Sequence, residues 1–236
     1  MNIFNTIFYY PILNVLVLIY QYLPGKSFGV AIIALTILIK ILLYPLNKHG
    51  LRTQKIFSKL EPKLQEIKEK FKDDKEKLML ETTRIYKEAN INPFSGFLLL
   101  LVQLPILFAL YRVFYTFFSV DGLNGLWGFM VDPRPINPYF LTINLALPNI
   151  LLALLAGVTL FLQTKMMQPT KPKKSKKTTA NSFSKSFQKQ MNYFLPVFTF
   201  LILLKVCSAV SLYLIVSSII TIIQTKYVQE KKTEEN

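Results

Sequence analysis

One lysine sits where a lysine is expensive. Residues 28–46 read FGVAIIALTILIKILLYPL, and Lys40 is the only charge among them. A helix of that length spans about 28 Å at ~1.5 Å per residue, close to the hydrocarbon thickness of a bilayer. A lysine inside such a span costs ~3 kcal/mol on insertion scales and marks a functional site by default. Two readings follow from the stretch alone. The ammonium serves as a working charge for a polar or anionic group inside the membrane. Alternatively it snorkels, since Lys40 lies roughly 9 Å from the end of the helix and its stem is flexible. Thr36, one turn deeper on the same face, adds a hydroxyl.

The chemistry available is non-covalent. His49 is the only histidine and Cys207 the only cysteine, which excludes a cysteine metal site and an intrachain disulfide and argues against a histidine metal centre or a His-based dyad. No glycine-rich phosphate loop occurs. The apolar stretches hold no Asp or Glu, so a lipid-modifying enzyme lacks its acid–base groups. The expectation is a protein that is not an enzyme and carries no cofactor.

The elements that must position Lys40 are long apolar helices. The chain has 236 residues, is 52% hydrophobic and still carries a net charge of +15. A soluble domain rarely combines these; a membrane protein does so by packing its charge into loops on one side. Residues 1–24 have no basic front or small-residue cleavage site. Tyr9, Tyr10, Tyr20 and Tyr22 favour an interfacial helix over a span. The first span is 28–46. Residues 47–92 are dense in both charge signs, with an apolar stripe at Leu60, Leu64, Ile67 and Phe71 and a second at Leu78, Thr82, Ile85 and Ala89. Joined by a polar turn near Asp73-Asp74, they predict an antiparallel helical hairpin.

A second span covers 93–119, with Gln103, Pro105 and Arg112 inside it, and a loop with turn chemistry covers 120–146. Trp127, Phe129 and Tyr139 put that loop on the membrane surface. A third span covers 147–168. Residues 169–189 carry seven lysines and no acid, a flexible basic loop. Residues 190–204 and 206–226 are two further spans with a tight turn at Lys205, and 227–236 is a tail. The fold class expected is an all-α polytopic membrane protein with five transmembrane helices, a helical hairpin and an N-terminal interfacial helix.

Basic residues concentrate in 47–92 and 169–189, whereas 120–146 contains only Arg134. The positive-inside rule makes the basic loops and the C-terminus cytoplasmic and the N-terminus external. Depth can then be compared between spans. Lys40, Gln103 and Gln163, together with Ser217, Ser218, Thr221 and Gln224, all fall in the cytoplasmic halves. The outer halves of the first and third spans are nearly pure hydrocarbon. This implies a wet cavity open to one side. An anion or small-solute transporter, the alternative function, requires polar groups at all depths or at the midplane.

Several motifs in this order resemble the YidC/Oxa/Alb membrane protein insertases: LTILIKILLYPL, then IYKEANINPFSG, LVQLPILFALY and SLYLIVSSIITIIQ. The resemblance runs from about Phe8 to Tyr227. It implies a five-span core with a hydrophilic groove for nascent membrane proteins, open to the cytoplasm and to lipid; between a bacterial plasma membrane and an organelle, the lack of a transit-like or signal peptide favours the bacterial membrane. Lys40 falls at the groove's basic position, where arginine is usual, and Thr36 and Gln103 match polar groove positions. Tyr213 matches one of two adjacent tyrosines, the neighbour here being Leu214. Gln163 and Ser218 complete the candidate substrate groove. The resemblance further implies lipid as a partner, with the ribosome, targeting factors and a Sec-type translocon as candidates at the hairpin and basic loop, and no specific nucleic acid beyond ribosomal contact. Lysine at position 40 removes bidentate carboxylate binding, and Cys207-Ser208-Ala209 stands where the family commonly has a Pro-Ser/Ala-Gly turn.

Overall fold

The computed structural model describes residues 3–23, 25–90, 95–119, 123, 125–166, 194 and 196–230. The chain is predominantly helical. A π-helical turn at Asn5–Tyr9 leads into α1, Tyr10–Tyr22, followed by α2, Phe28–Leu42, and α3, Tyr44–Lys70. Then come α4, Lys75–Glu88; α5, Ser95–Phe118; α6, Ile150–Met166; α7, residues 196–203; and α8, Ser208–Glu230. Between α5 and α6 lies a departure from the all-α expectation, a two-stranded antiparallel sheet of β1, Tyr139–Phe140, and β2, Ile143–Asn144. Strands of two residues are too short for any alternation to be visible in sequence.

Residues 28–46 are not one helix. The helix ends at Leu42, and α2 and the start of α3 meet at a 61° bend. Pro45, in the first turn of α3, supplies the cause: it lacks an N–H, and its ring excludes the carbonyl four residues back. Beyond the bend α3 runs outward and α4 folds back on it, with Phe57 and Tyr86 meeting edge to face at 5.5 Å. Ile85 is buried in this pair, while Leu60, Leu64, Ile67 and Phe71 are half-covered. Asp74 caps α4 by accepting the Lys77 N–H at 3.0 Å, and that bond holds its carboxyl below the usual carboxylate range. The cap's contribution is complete above the unfolded carboxyl's pKa and is lost as pH falls through the depressed one. The basic loop 169–189 and the first residues of the span expected over 93–119 lie outside the described residues.

One end of the molecule is built from rings. Phe28 meets Phe117 at 5.1 Å, Phe118 at 4.9 Å, Phe114 at 6.1 Å and Tyr20 at 6.2 Å. Of the four tyrosines that favoured an interfacial helix, Tyr9 and Tyr20 are buried in the core, and Tyr10 and Tyr22 are exposed. The helix uses one face to pack on α2 and α5. Asn14 is fully buried in the same helix. Its Nδ2 donates to the carbonyls of Tyr10 (2.7 Å) and Gly125 (3.0 Å), and its Oδ1 accepts the Trp127 N–H at 2.7 Å. Arg112, inside the second expected span, turns towards the N-terminal turn. It donates to Asn5 Oδ1 at 2.6 Å and lies 4.6 Å from the centre of the Tyr9 ring.

Phe140 occupies the space that a side chain on Gly29 would need, and Leu147 accepts from the Ser208 backbone N–H at 3.0 Å and from its hydroxyl. The loop 139–149 therefore gathers the N-terminal ends of α2, α6 and α8, which run parallel from it. Among the described residues, α8 is long and apolar enough to cross a bilayer from Ser208 to Val228, and the bent pair Phe28–Leu42 and Tyr44–Thr53 passes the same test jointly. Ile41, Phe108, Leu151, Leu201 and Ile223 are exposed on the outside of the helices. A belt of this extent suits lipid, not water. Replacing Asn14 with Leu leaves the Gly125 carbonyl and Trp127 N–H without partners; the expected loss is ~2–3 kcal/mol, read as a lowered unfolding midpoint in detergent.

Candidate functional site

Every fourth residue of α8 from Tyr213 is polar and buried: Tyr213, Ser217, Thr221 and Thr225. Spacing of four puts them on one inclined row of the helix surface. A similar row on α2, Phe28, Ile32, Thr36 and Lys40, passes from aromatic to charged. Because α2 and α8 run parallel and pack together, their polar ends coincide.

Lys40 Nζ donates to Thr221 Oγ1 at 3.0 Å, and Lys40 is only 6% exposed. The threonine hydroxyl donates in turn to the Ser217 carbonyl at 2.9 Å. Its proton is therefore committed along α8, which leaves its lone pairs for the ammonium. Thr225 repeats the pattern on the Thr221 carbonyl at 2.7 Å, and Thr36 on the Ile32 carbonyl at 2.6 Å. Such back-bonding satisfies a hydroxyl within its own helix at slight cost to the helix. Among the described residues no carboxylate pairs with Lys40, and Thr221 is its one hydrogen-bond partner. A neutral hydroxyl offsets only part of what dehydrating an ammonium costs, which amounts to several kcal/mol.

Gln103 Nε2 donates to the Tyr213 hydroxyl at 2.8 Å, linking α5 to the same row. Tyr213 precedes Thr221 by eight residues, ~12 Å along the helix, so Gln103 is not level with Lys40. Gln163 is half-buried on α6, thirteen residues beyond Ile150, as Thr221 is thirteen beyond Ser208. Ser218 is buried beside Ser217. Of the residues singled out in sequence, Lys40 and Thr36 share a row on α2, Gln103 and Tyr213 pair, and Ser218 lies on α8 next to the row that holds Thr221. The sequence reading passed over Thr221 as a partner. Its signal was the four-residue spacing from Tyr213, visible only once the row is counted through Thr225. Thr36 and Tyr213 are sealed within the bundle, so the site as seen is closed around Lys40.

A model of a family described as "60Kd inner membrane protein" matches residues 18–235. That match covers nearly the whole chain, including every helix around Lys40. The chain belongs to the 60Kd inner membrane protein family. Relatives within the family's range include the "Membrane protein insertase YidC" of Clostridium tetani, 34% identical over 212 residues, 90% of this chain and 85% of that protein. The protein of the same name from Fusobacterium nucleatum is 34% identical over 205 residues, 87% of each chain. The one from Geobacter metallireducens is 31% identical over 223 residues; that alignment covers 93% of this chain but 36% of the Geobacter protein. The resemblance read from the motifs thus agrees with membership of this 60Kd inner membrane protein family.

The buried ammonium gives a prediction that separates stability from activity. Lys40→Met keeps the stem and removes an incompletely compensated charge. The unfolding midpoint in detergent should stay level or rise, because replacing a buried charge by a well-packed apolar group is neutral or stabilising. A fall would mean that the Thr221 bond holds the fold together.

Proposed function

We propose that this protein is a membrane protein insertase, and that the reaction it promotes is transfer of a polar flank across part of the bilayer. The observation that carries the reading is Lys40, a buried ammonium held by a hydroxyl alone. A carboxylate on an arriving chain offers that ammonium a stronger partner than Thr221 does, since charge-assisted hydrogen bonds are roughly twice as strong as neutral ones. Exchange of Thr221 for the client's carboxylate opens α2 from α8 at their polar ends and admits the flank. Hydroxyls of Thr36, Ser217 and Ser218 then replace part of the lost hydration. Relatives carry the name "Membrane protein insertase YidC", which supports the same reading.

In this reading α2, α5, α6, α7 and α8 are five spans, α1 lies at the outer interface, and α3 with α4 forms a cytoplasmic hairpin that receives the client. The chain sits in a bacterial inner membrane with the N-terminus outside. The short α2, fifteen residues or ~22 Å, favours a locally thin bilayer. The aromatic cluster around Phe28 supports closure towards the outside and disfavours a transporter, which must open there as well. The insertase breaks no bond and consumes no cofactor. Nascent membrane proteins and lipid are its partners, and the hairpin is where ribosome, targeting factors or a Sec-type translocon would dock.

Two experiments test this. In nucleotide-free proteoliposomes, a short single-span substrate with an acidic flank should insert with wild-type protein and with Lys40→Arg. With Lys40→Glu the rate should fall at least about tenfold, equivalent to ~1.4 kcal/mol. Insertion at the wild-type rate by Lys40→Glu removes the charge from the mechanism. In a Cys207→Ser background, cysteines at positions 36, 103 and 218, which leave Lys40 in place, should react with a membrane-impermeant thiol reagent from the cytoplasmic side only while the client is engaged. Labelling from both sides favours the transporter.

A further inference from the structure

The short sheet between α5 and α6 presents an apolar tip on a strained turn. Tyr139 pairs with Asn144 and Phe140 with Ile143, leaving Leu141 and Thr142 as the two-residue loop. Leu141 has φ +56°, a left-handed conformation that a two-residue hairpin normally assigns to glycine or asparagine. It is 85% exposed, so no packing within the chain offsets that strain. The base of the hairpin, in contrast, is held firmly. Phe140 fills the notch at Gly29, Leu145 is fully buried, and the carbonyls of Leu145 and Leu147 accept from Ala209 and Ser208 at the start of α8. A rigid base and a strained, solvent-directed leucine are what an element needs to push an apolar side chain into another phase.

We propose that this hairpin dips into the lipid leaflet at the Phe28 end of the bundle, with Leu141 inserted among acyl chains. Lipid is the occupant the surroundings favour. Leu147, just before α6, and Ile150 and Leu151, at its start, are exposed apolar side chains close by in the chain. Trp127, Phe129 and Tyr139, also exposed, are of the types that settle at the headgroup boundary. The loop's two charges among the described residues, Asp132 and Arg134, neutralise each other through paired hydrogen bonds, the shortest 2.6 Å. The described part of this surface therefore carries no net charge, and it can approach lipid without stripping an unpaired ion of water. The hairpin would hold the beginnings of α2, α6 and α8 at a fixed depth. The proposal requires that the chain spans a bilayer; it does not depend on the insertase reading.

Trp127 is the only tryptophan, so the unaltered protein carries one indole in this loop. A second probe is Leu141→Trp in a Trp127→Phe background. Both are reconstituted in phosphatidylcholine–phosphatidylglycerol vesicles, with bromine on shallow acyl carbons or absent, and with iodide on both sides. The indole at position 141 should emit at the shorter wavelength of an apolar site, be quenched by the bromines and be shielded from iodide. Emission of a hydrated indole, quenched by iodide and indifferent to bromine, overturns the proposal. Leu141→Gly tests the structural alternative, because glycine accepts a positive φ without strain. The variant should unfold in detergent no earlier than wild type, while its Trp127 emission in vesicles shifts to longer wavelength. A lowered detergent midpoint with unchanged emission would make Leu141 a folding residue and overturn the proposal.

Discussion

A buried ammonium held by a threonine hydroxyl sets the terms for the rest of this molecule. Lys40 reaches Thr221 across the α2–α8 contact, and the hydroxyl's own proton is spent on the Ser217 carbonyl. The bond becomes possible because α2 and α8 run parallel and pack together with their polar ends level. It is also a weak match for the charge it holds. A carboxylate in the same place would satisfy the ammonium more fully and would leave less reason for it to change partners. Neutral pairing keeps Lys40 available, at the cost of an incompletely compensated charge.

The helices around that pair need other reasons to associate, because lipid solvates apolar side chains as well as neighbouring helices do. Two contacts meet the need in different ways. At the Phe28 end, interlocking rings supply dense packing. Nearer the polar end, Gln103 on α5 meets Tyr213 on α8, a hydrogen bond worth little in area but specific in geometry. Along α2 and α8 alike, the buried row passes from aromatic or apolar to polar in the same direction. The gradient leaves one end of the bundle packed by rings and gathers the hydrogen-bonded hydroxyls and the ammonium at the other.

Connections carry part of the architecture. Asn14 ties α1 to the loop at Gly125 and Trp127, and the hairpin at residues 139–144 is anchored on Gly29 while its neighbouring carbonyls engage the start of α8. These segments cross-link helix ends that are far apart in sequence. They also show how one residue type reads differently by context. An asparagine in an apolar run weakens a transmembrane assignment when counted by composition, yet here it is the clasp that orders a loop, because all three of its hydrogen bonds are made inside the protein.

Much about this chain could be read from residue types in order. Long apolar stretches, one charge at position 40, a charged segment with two narrow stripes and the succession of motifs were enough for a helical membrane protein of this family. Those properties are legible because helical periodicity and hydrocarbon length are local quantities. Pro45 also carried its consequence openly, although the bend at Leu43 was passed over in favour of an unbroken span. What tertiary structure alone decided was partnership and closure. That Lys40 bonds Thr221, that Gln103 lies a turn or more away from that pair, that Tyr9 and Tyr20 are core residues and that Leu141 tops a strained hairpin all depend on which helix faces meet. Sequence gives the rows on each helix, but the pairing of rows is set by packing between segments distant along the chain, where no local rule reaches.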